Sequence, residues 1–226
     1  MRKIELCLHP RLTNPQKDAV LSKSDFQLLT GVAGTGKTYC ALARGLKFLQ
    51  DESIESLVIV RSAVAVRSIG FLPGDGEEKA DPYMAPYVTM LKSLAPKGIP
   101  AKLIDFKLTS FERGMTYDDT CIIVDEYQNM SGHELETIIT RVGANTKLII
   151  CGDSDQSDLP KHEIESHRKI IDIVERMPEF QVINFGINDI VRSAFLKSYF
   201  KTKATLNSGK LTDGWGLPGG GLGKTA

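Results

Sequence analysis

The stretch Phe26-Gln27-Leu28-Leu29-Thr30-Gly31-Val32-Ala33-Gly34-Thr35-Gly36-Lys37-Thr38 decides how the chain folds. Its first five residues are an apolar run that predicts a strand. Its last eight fit G-x-x-x-x-G-K-[ST]. Lys37–Gln50 follows as a predicted helix, with Cys40, Ala41, Ala43, Leu46, Phe48 and Leu49 supplying apolar surface. A glycine-rich turn between strand and helix is the setting a phosphate-binding loop requires. Its three glycines let the backbone curl until its N–H groups converge on phosphate oxygens. The helix N-terminus adds positive potential. Gly31, Val32, Ala33, Gly34, Thr35, Gly36, Lys37 and Thr38, with Tyr39 next on the helix, form the expected nucleotide cradle. Lys37 is expected to reach the β- and γ-phosphates, and the Thr38 hydroxyl to ligate Mg²⁺. The competing reading is a glycine-rich turn with a solvated lysine; the strand before it and the helix after it argue against that.

Working outward, short apolar runs alternate with helical patterns. Residues 57–60 (LVIV), 121–124 (CIIV) and 148–151 (LIIC) predict buried strands, with weaker candidates at 103–108 and 181–185. Helices are expected over residues 81–94, 131–142, 161–176 and 189–201, and Ser131 with Glu134 forms a capping box. Runs apolar on both faces, separated by helices, indicate an α/β fold with a central, mostly parallel sheet flanked by helices. Residues 1–203 are read as a single domain. Seven of the 20 glycines fall between Gly209 and Gly223, so residues 204–226 read as a flexible glycine-rich tail. The tail holds a decoy, Gly219-Gly220-Gly221-Leu222-Gly223-Lys224-Thr225. Pro218 stands where the motif needs its first glycine, no strand precedes it, and the sequence ends at Ala226, so no phosphate site is expected there.

Cys121-Ile122-Ile123-Val124 leads into Asp125-Glu126, a Walker B arrangement in which a buried strand carries a carboxylate to its C-terminal edge. Asp125 is expected to hold Mg²⁺ opposite Thr38, and Glu126 to polarise the attacking water. The alternative is an acidic pair that only caps a strand end. An adjacent pair favours hydrolysis over transfer to an acceptor, and neither an acceptor pocket nor a basic lid is recognisable. After the next predicted strand comes Gly152-Asp153-Ser154-Asp155-Gln156-Ser157-Asp158-Leu159-Pro160. There Gln156 is a candidate γ-phosphate sensor and Asp153 a support for the metal shell; an Asx-rich turn is the competing reading. Upstream, Gln16 has an amide able both to donate to and accept from an adenine edge, or it is a solvated loop residue.

The chain has 226 residues, 42% of them apolar and 25% charged, which is ordinary globular composition. Lys plus Arg and Asp plus Glu are both 28. Zero net charge argues against a purely electrostatic nucleic-acid binder and leaves a local basic patch open. No run approaches the ~18 apolar residues of a membrane helix, and the start is not expected to act as a signal peptide. Cys7, Cys40, Cys121 and Cys151 lie far apart, which predicts reduced, buried thiols in a cytoplasmic protein. His162-Glu163 with His167 is one residue too long for a metalloprotease helix motif.

The residues resemble the PhoH family of ATPases, relatives of superfamily 1 helicase cores, from about Thr13 to Arg192. The likeness rests on GVAGTGKT, on GFLPGD (residues 70–75) with Glu78-Lys79 and Asp81-Pro82-Tyr83-Met84, on SFERGMTYDD (110–119), on VDEYQN (124–129), on GDSDQSDLP and on DIVRS (189–193). It implies a RecA-like P-loop NTPase fold, binding of ATP and Mg²⁺, ATP hydrolysis and a link to RNA or single-stranded DNA. Lys37, Thr38, Asp125, Glu126 and Gln156 carry over with the roles above. The adenine-reading glutamine falls on Gln16, and the arginine of the last helicase-like motif on Arg192, a candidate arginine finger. Val32, Ser62 and Tyr127 depart from the family pattern, and Tyr127 is expected to add bulk beside the catalytic edge. One core leaves the charge-stabilising arginine to come from within it or from a neighbouring subunit, so a homo-oligomer, in one form a ring, is expected. Arg61, Arg67, Arg113 and Arg192 are candidates for phosphate or nucleic-acid contact, against ordinary surface arginines. Arg192, Lys197, Lys201 and Lys203 interleave with Phe195, Tyr199 and Phe200. That pattern suits a single strand bound by charge and stacking, or an amphipathic helix packed on the core. A nucleotide switch with little turnover and a small-molecule phosphotransferase remain as rival readings.

Overall fold

A computed structural model describes residues 4–62, 81–109, 116–153 and 156–207. The GFLPGD loop, Glu78, Lys79, Arg67, Arg113 and the glycine-rich repeat at 219–225 lie outside them. Six strands form one sheet: β1 (Phe26–Gly31), β2 (Ser56–Arg61), β3 (Ile104–Leu108), β4 (Thr120–Asp125), β5 (Lys147–Gly152) and β6 (Phe180–Phe185). Their order is β3-β2-β4-β5-β1-β6, and every pairing is parallel. All six residues of β4 and of β5 are buried. These are the strands whose sequences are apolar on both faces, as burial between two helical layers requires.

The side-chain alternation divides the core. Leu29, Ile59, Ile123 and Ile149 point to the layer of α1 (Asn14–Leu21), α2 (Lys37–Gln50) and α3 (Asp81–Leu94). Leu28, Val58, Ile122 and Ile150 point to the layer of α4 (Gly132–Ile139) and α5 (Lys161–Arg176). Each such side chain contributes about 1.5–3 kcal/mol by leaving water. The last helix, α6 (Ala194–Asn207), follows β6 and a short turn at Ile187–Asp189.

Three boundaries differ from the sequence reading, each for a local reason. Residues 13–16 open a helix: the Thr13 backbone N–H donates to Gln16 Oε1 at 2.9 Å, the return half of a capping box. α4 stops at Ile139 because Val142 leaves the helix to bridge Tyr117. α6 starts five residues late because Asp189 closes a turn onto the Gly186 N–H (2.8 Å), and Ser193 then caps the helix through the Leu196 N–H (3.1 Å). It runs to Asn207, beyond the expected domain boundary at residue 203. Among the thiols, Cys40, Cys121 and Cys151 are buried, whereas Cys7 is exposed. No helix among the described residues is long and apolar enough to cross a membrane.

A parallel sheet brings all its C-terminal strand ends to one edge. Gly31, Arg61, Asp125 and Gly152 end four strands there. β5 separates β1 from β4, so the two key strands lie about 10 Å apart. Any joint site needs a side chain that reaches across from the start of α2.

Candidate nucleotide site

The loop after β1 needs its glycines. Gly31 has φ +131°, and a Cβ there would lie 2.0 Å from the Phe185 carbonyl oxygen. Gly34 has φ +79°, with Leu196 Cδ2 2.4 Å from where a Cβ would be. The Thr35 hydroxyl donates to the Val32 carbonyl at 2.8 Å and pins the curl from inside. Lys37 is buried, and its ammonium donates to the carbonyls of Gly31 (2.6 Å) and Val32 (3.0 Å). Burial lowers its pKa, against the opposing pull of Asp153, Glu126 and Asp125 nearby. A phosphate arriving in the curl would take over a cation already held at its rim.

Thr38 bridges the gap set by β5. Its hydroxyl donates to Asp125 Oδ1 at 2.9 Å. Cys151 Sγ donates to the same oxygen at 3.1 Å, and the Tyr87 hydroxyl to Oδ2 at 2.6 Å. Burial and the Asp125 charge hold the Cys151 thiol well above its ordinary pKa, so it stays protonated. Glu126 follows with φ +56°, a left-handed backbone uncommon outside glycine and a form of strain that concentrates at functional sites. Its carboxylate accepts from Gln128 Nε2 at 2.5 Å, and Gln128 Oε1 accepts from the Asp153 N–H at 3.0 Å. Gln128 thereby ties the acidic strand end to the loop after β5.

These groups surround one cavity of about 540 Å³. From the loop, Ala33, Gly34, Gly36, Lys37, Thr38 and Tyr39 line it; Gly31, Val32 and the fully buried Thr35 do not. Asp125, Glu126, Asp153 and Gln156 line it as well, and so do Arg61 and Arg192. Gln16 lies against the loop, its Nε2 3.5 Å from where a Cβ on Gly36 would be. It is 2% exposed, and its Nε2 donates to the carbonyls of Thr35 (2.9 Å) and Asp189 (3.3 Å). Neither a solvated residue nor part of the cavity lining, it braces the back of the loop.

Tyr127 adds bulk beside the C-terminal edge of the sheet: its Cδ1 lies 2.7 Å from where a Cβ on Gly152 would be. Its ring is buried in the α4–α5 layer, stacked on His167 at 5.8 Å, with its hydroxyl 3.1 Å from Thr30 Oγ1. Burial lowers the His167 pKa, and its Nδ1 lies 2.9 Å from the Met130 carbonyl oxygen. That is a core histidine, and among the described residues no cluster of three His, Cys, Asp or Glu could hold a metal. The lining residues that sequence reasoning missed are Pro86, Tyr87, Met90, Gln128, Gly152 and Val191. Gln128 stands two residues from Glu126 and carried a signal by proximity alone; the α3 residues carried none.

The donor set suits Mg²⁺. A hydroxyl and a carboxylate oxygen stand side by side, both hard oxygen ligands, with a cavity open beside them. Mg²⁺ typically takes only one or two such protein ligands and fills its octahedron with water and substrate phosphates.

Comparisons with known proteins agree with this architecture. The large terminase of a thermophilic bacteriophage, solved also with ADP bound, superposes with TM-scores of 0.53 and 0.51 at 12% and 14% identity. The first superposition covers 85% of this chain and 50% of the terminase chain. The fold is therefore that of the RecA-like P-loop NTPases. A PhoH-like protein of Mycobacterium tuberculosis H37Rv is 33% identical over 202 residues, 87% of this chain and 55% of its own length. PhoH2 of Bacillus subtilis is 40% identical over 154 residues, 62% and 35% respectively. The chain thus spans about half the length, or less, of these relatives. With the family model for PhoH-like proteins matching residues 11–202, a span that takes in the loop, the acidic strand and the start of α6, the chain belongs to the PhoH-like protein family.

Proposed function

We propose that this chain binds Mg·ATP in the cavity between α2 and β4 and hydrolyses it, with turnover coupled to single-stranded RNA or DNA. The observation that carries the reading is the 2.9 Å contact between Thr38 and Asp125 with Glu126 beside it. Thr38 and Asp125 would hold Mg²⁺, which would supply charge neutralisation for the phosphates. The loop amides and Lys37 hold the triphosphate. Glu126 accepts a proton from a water whose oxygen attacks the γ-phosphorus; the bond to the bridging oxygen breaks, and ADP and phosphate leave. Gln156 would hydrogen-bond the transferred group, which its position in the cavity lining supports. Arg192 faces the same cavity from its own chain, which supports a role in cis for the charge-stabilising arginine. Homo-oligomerisation belongs to the proposal and is read by mass in solution. Phosphate release, measured with and without single-stranded RNA and DNA, tests the function; no release under any condition contradicts it.

The coupling to a strand is supported by α6. Phe195 is 80% and Tyr199 53% exposed, whereas Phe200 is buried. Phe195 and Tyr199 are one turn apart on one face. Lys203 is exposed one turn on from Tyr199, Lys201 is exposed on another face of the helix, and residues 190–207 contain no Asp or Glu. Exposed aromatic rings among unopposed cations suit bases and phosphates together. The helix also touches the loop, since Leu196 packs against Gly34, and just before the helix the Val191 N–H donates to the Gly34 carbonyl at 3.2 Å. Phe195→Ala and Tyr199→Ala are each expected to weaken single-strand binding by about 1–3 kcal/mol, roughly 5- to 150-fold. Fluorescence anisotropy with a labelled oligonucleotide measures this. Unchanged affinity in both variants removes α6 as the platform.

A further inference from the structure

We propose that Tyr87 is a positioning residue that fixes the Asp125 carboxylate for the metal, an assignment that rests on the Mg·ATP reading above. Tyr87 is 2% exposed, and its ring packs edge-on against Phe106 of β3, with centroids 5.2 Å apart at 61°. That packing leaves its hydroxyl one direction, toward Asp125 Oδ2 at 2.6 Å. A hydroxyl donating to a carboxylate at this length is a strong, charge-assisted bond.

The consequence lies in the torsion of the carboxylate. The terminal torsion of an aspartate is broad and soft, so an untethered Asp125 would swing both oxygens past Thr38. With Oδ2 held by Tyr87, Oδ1 faces the Thr38 hydroxyl at 2.9 Å. Cys151 also donates to Oδ1, at 3.1 Å, but a thiol is a weak donor and does not set the plane. Tyr87 thus holds one edge of the carboxylate so that the other is presented to the cation. Pro86 and Met90, on the same helix, line the cavity. The hydroxyl therefore also fixes the wall α3 contributes to the acidic strand end.

Removing a hydrogen bond to a metal ligand typically costs 10- to 100-fold in metal affinity. The test uses the full chain and a fluorescent ADP analogue, titrated with Mg²⁺ and also measured in EDTA. Tyr87→Phe is expected to raise the Mg²⁺ midpoint at least about tenfold, while affinity in EDTA stays within about twofold and Mn²⁺ binding, read by electron paramagnetic resonance, weakens in parallel. Tyr87→Met, which keeps apolar fill and lacks the hydroxyl, is expected to do the same and serves if the first variant does not fold. An unchanged Mg²⁺ midpoint overturns the assignment. So does an equal loss with and without metal, which marks a purely structural tyrosine. If the parent protein binds no nucleotide under either condition, the site reading fails first, a result distinct from the other two.

Discussion

Glu126→Gln is expected to lower ATP turnover by about 10²- to 10⁴-fold while nucleotide binding persists. The amide keeps the shape of the side chain but cannot accept the proton from water. Binding rests on the loop after β1 and on the Thr38–Asp125 pair, neither of which the exchange touches. The left-handed backbone at Glu126 tolerates Gln about as well as Glu, because the strain lies at φ and not in the side chain. One local contact does change: Gln128 Nε2 now faces an amide instead of a carboxylate. Single-turnover phosphate release and equilibrium binding, measured side by side, separate the two effects. Parallel loss of both would show that Glu126 holds the site together and does not activate water.

Lys37→Ala is expected to lower turnover by about 10²- to 10³-fold, the scale of removing one preorganised charge-stabilising donor, and to weaken Mg·ATP binding as well. The ammonium is the cation inside the loop curl, and burial among carbonyls strengthens its pull on an incoming phosphate. Its loss also leaves the Gly31 and Val32 carbonyls without that donor, so thermal stability must be followed alongside. Lys37→Arg keeps the charge on a larger, planar group and is expected to recover stability better than turnover. Turnover within about threefold of the parent in Lys37→Ala, far below the scale above, would place the triphosphate elsewhere.

Much of the architecture is written in short-range patterns. Runs such as CIIV and LIIC are apolar on both faces, and only a sheet covered on both sides accommodates them, so β4 and β5 were legible. The loop was legible because its glycines serve backbone angles that few other residues adopt. Pairing Thr38 with Asp125 was legible only through chemistry, as two metal-type ligands 87 residues apart with no pattern joining them. Tyr87 was not legible: a tyrosine on a helix reads as core, and only the fold brings its hydroxyl to Asp125. Gln16 was legible only as a side chain suited to an adenine edge; its hydrogen bonds to Thr35 and Asp189 follow from the tertiary structure. The start of α1 carried a usable signal in T-x-x-Q, a capping box with Pro15 in the first turn.

The central claim is that Thr38 and Asp125 grip one metal-bound triphosphate, and a double-mutant cycle on nucleotide affinity tests it most directly. Thr38→Ala, Asp125→Asn and the double variant would each be titrated with a fluorescent ADP analogue, in Mg²⁺ and in EDTA. The account predicts a coupling larger in Mg²⁺ than in EDTA by about 0.5–3 kcal/mol, the range for residues that share a partner. Losses that simply add in Mg²⁺, or a coupling of equal size without metal, would mean that the two side chains meet only each other and no shared cation.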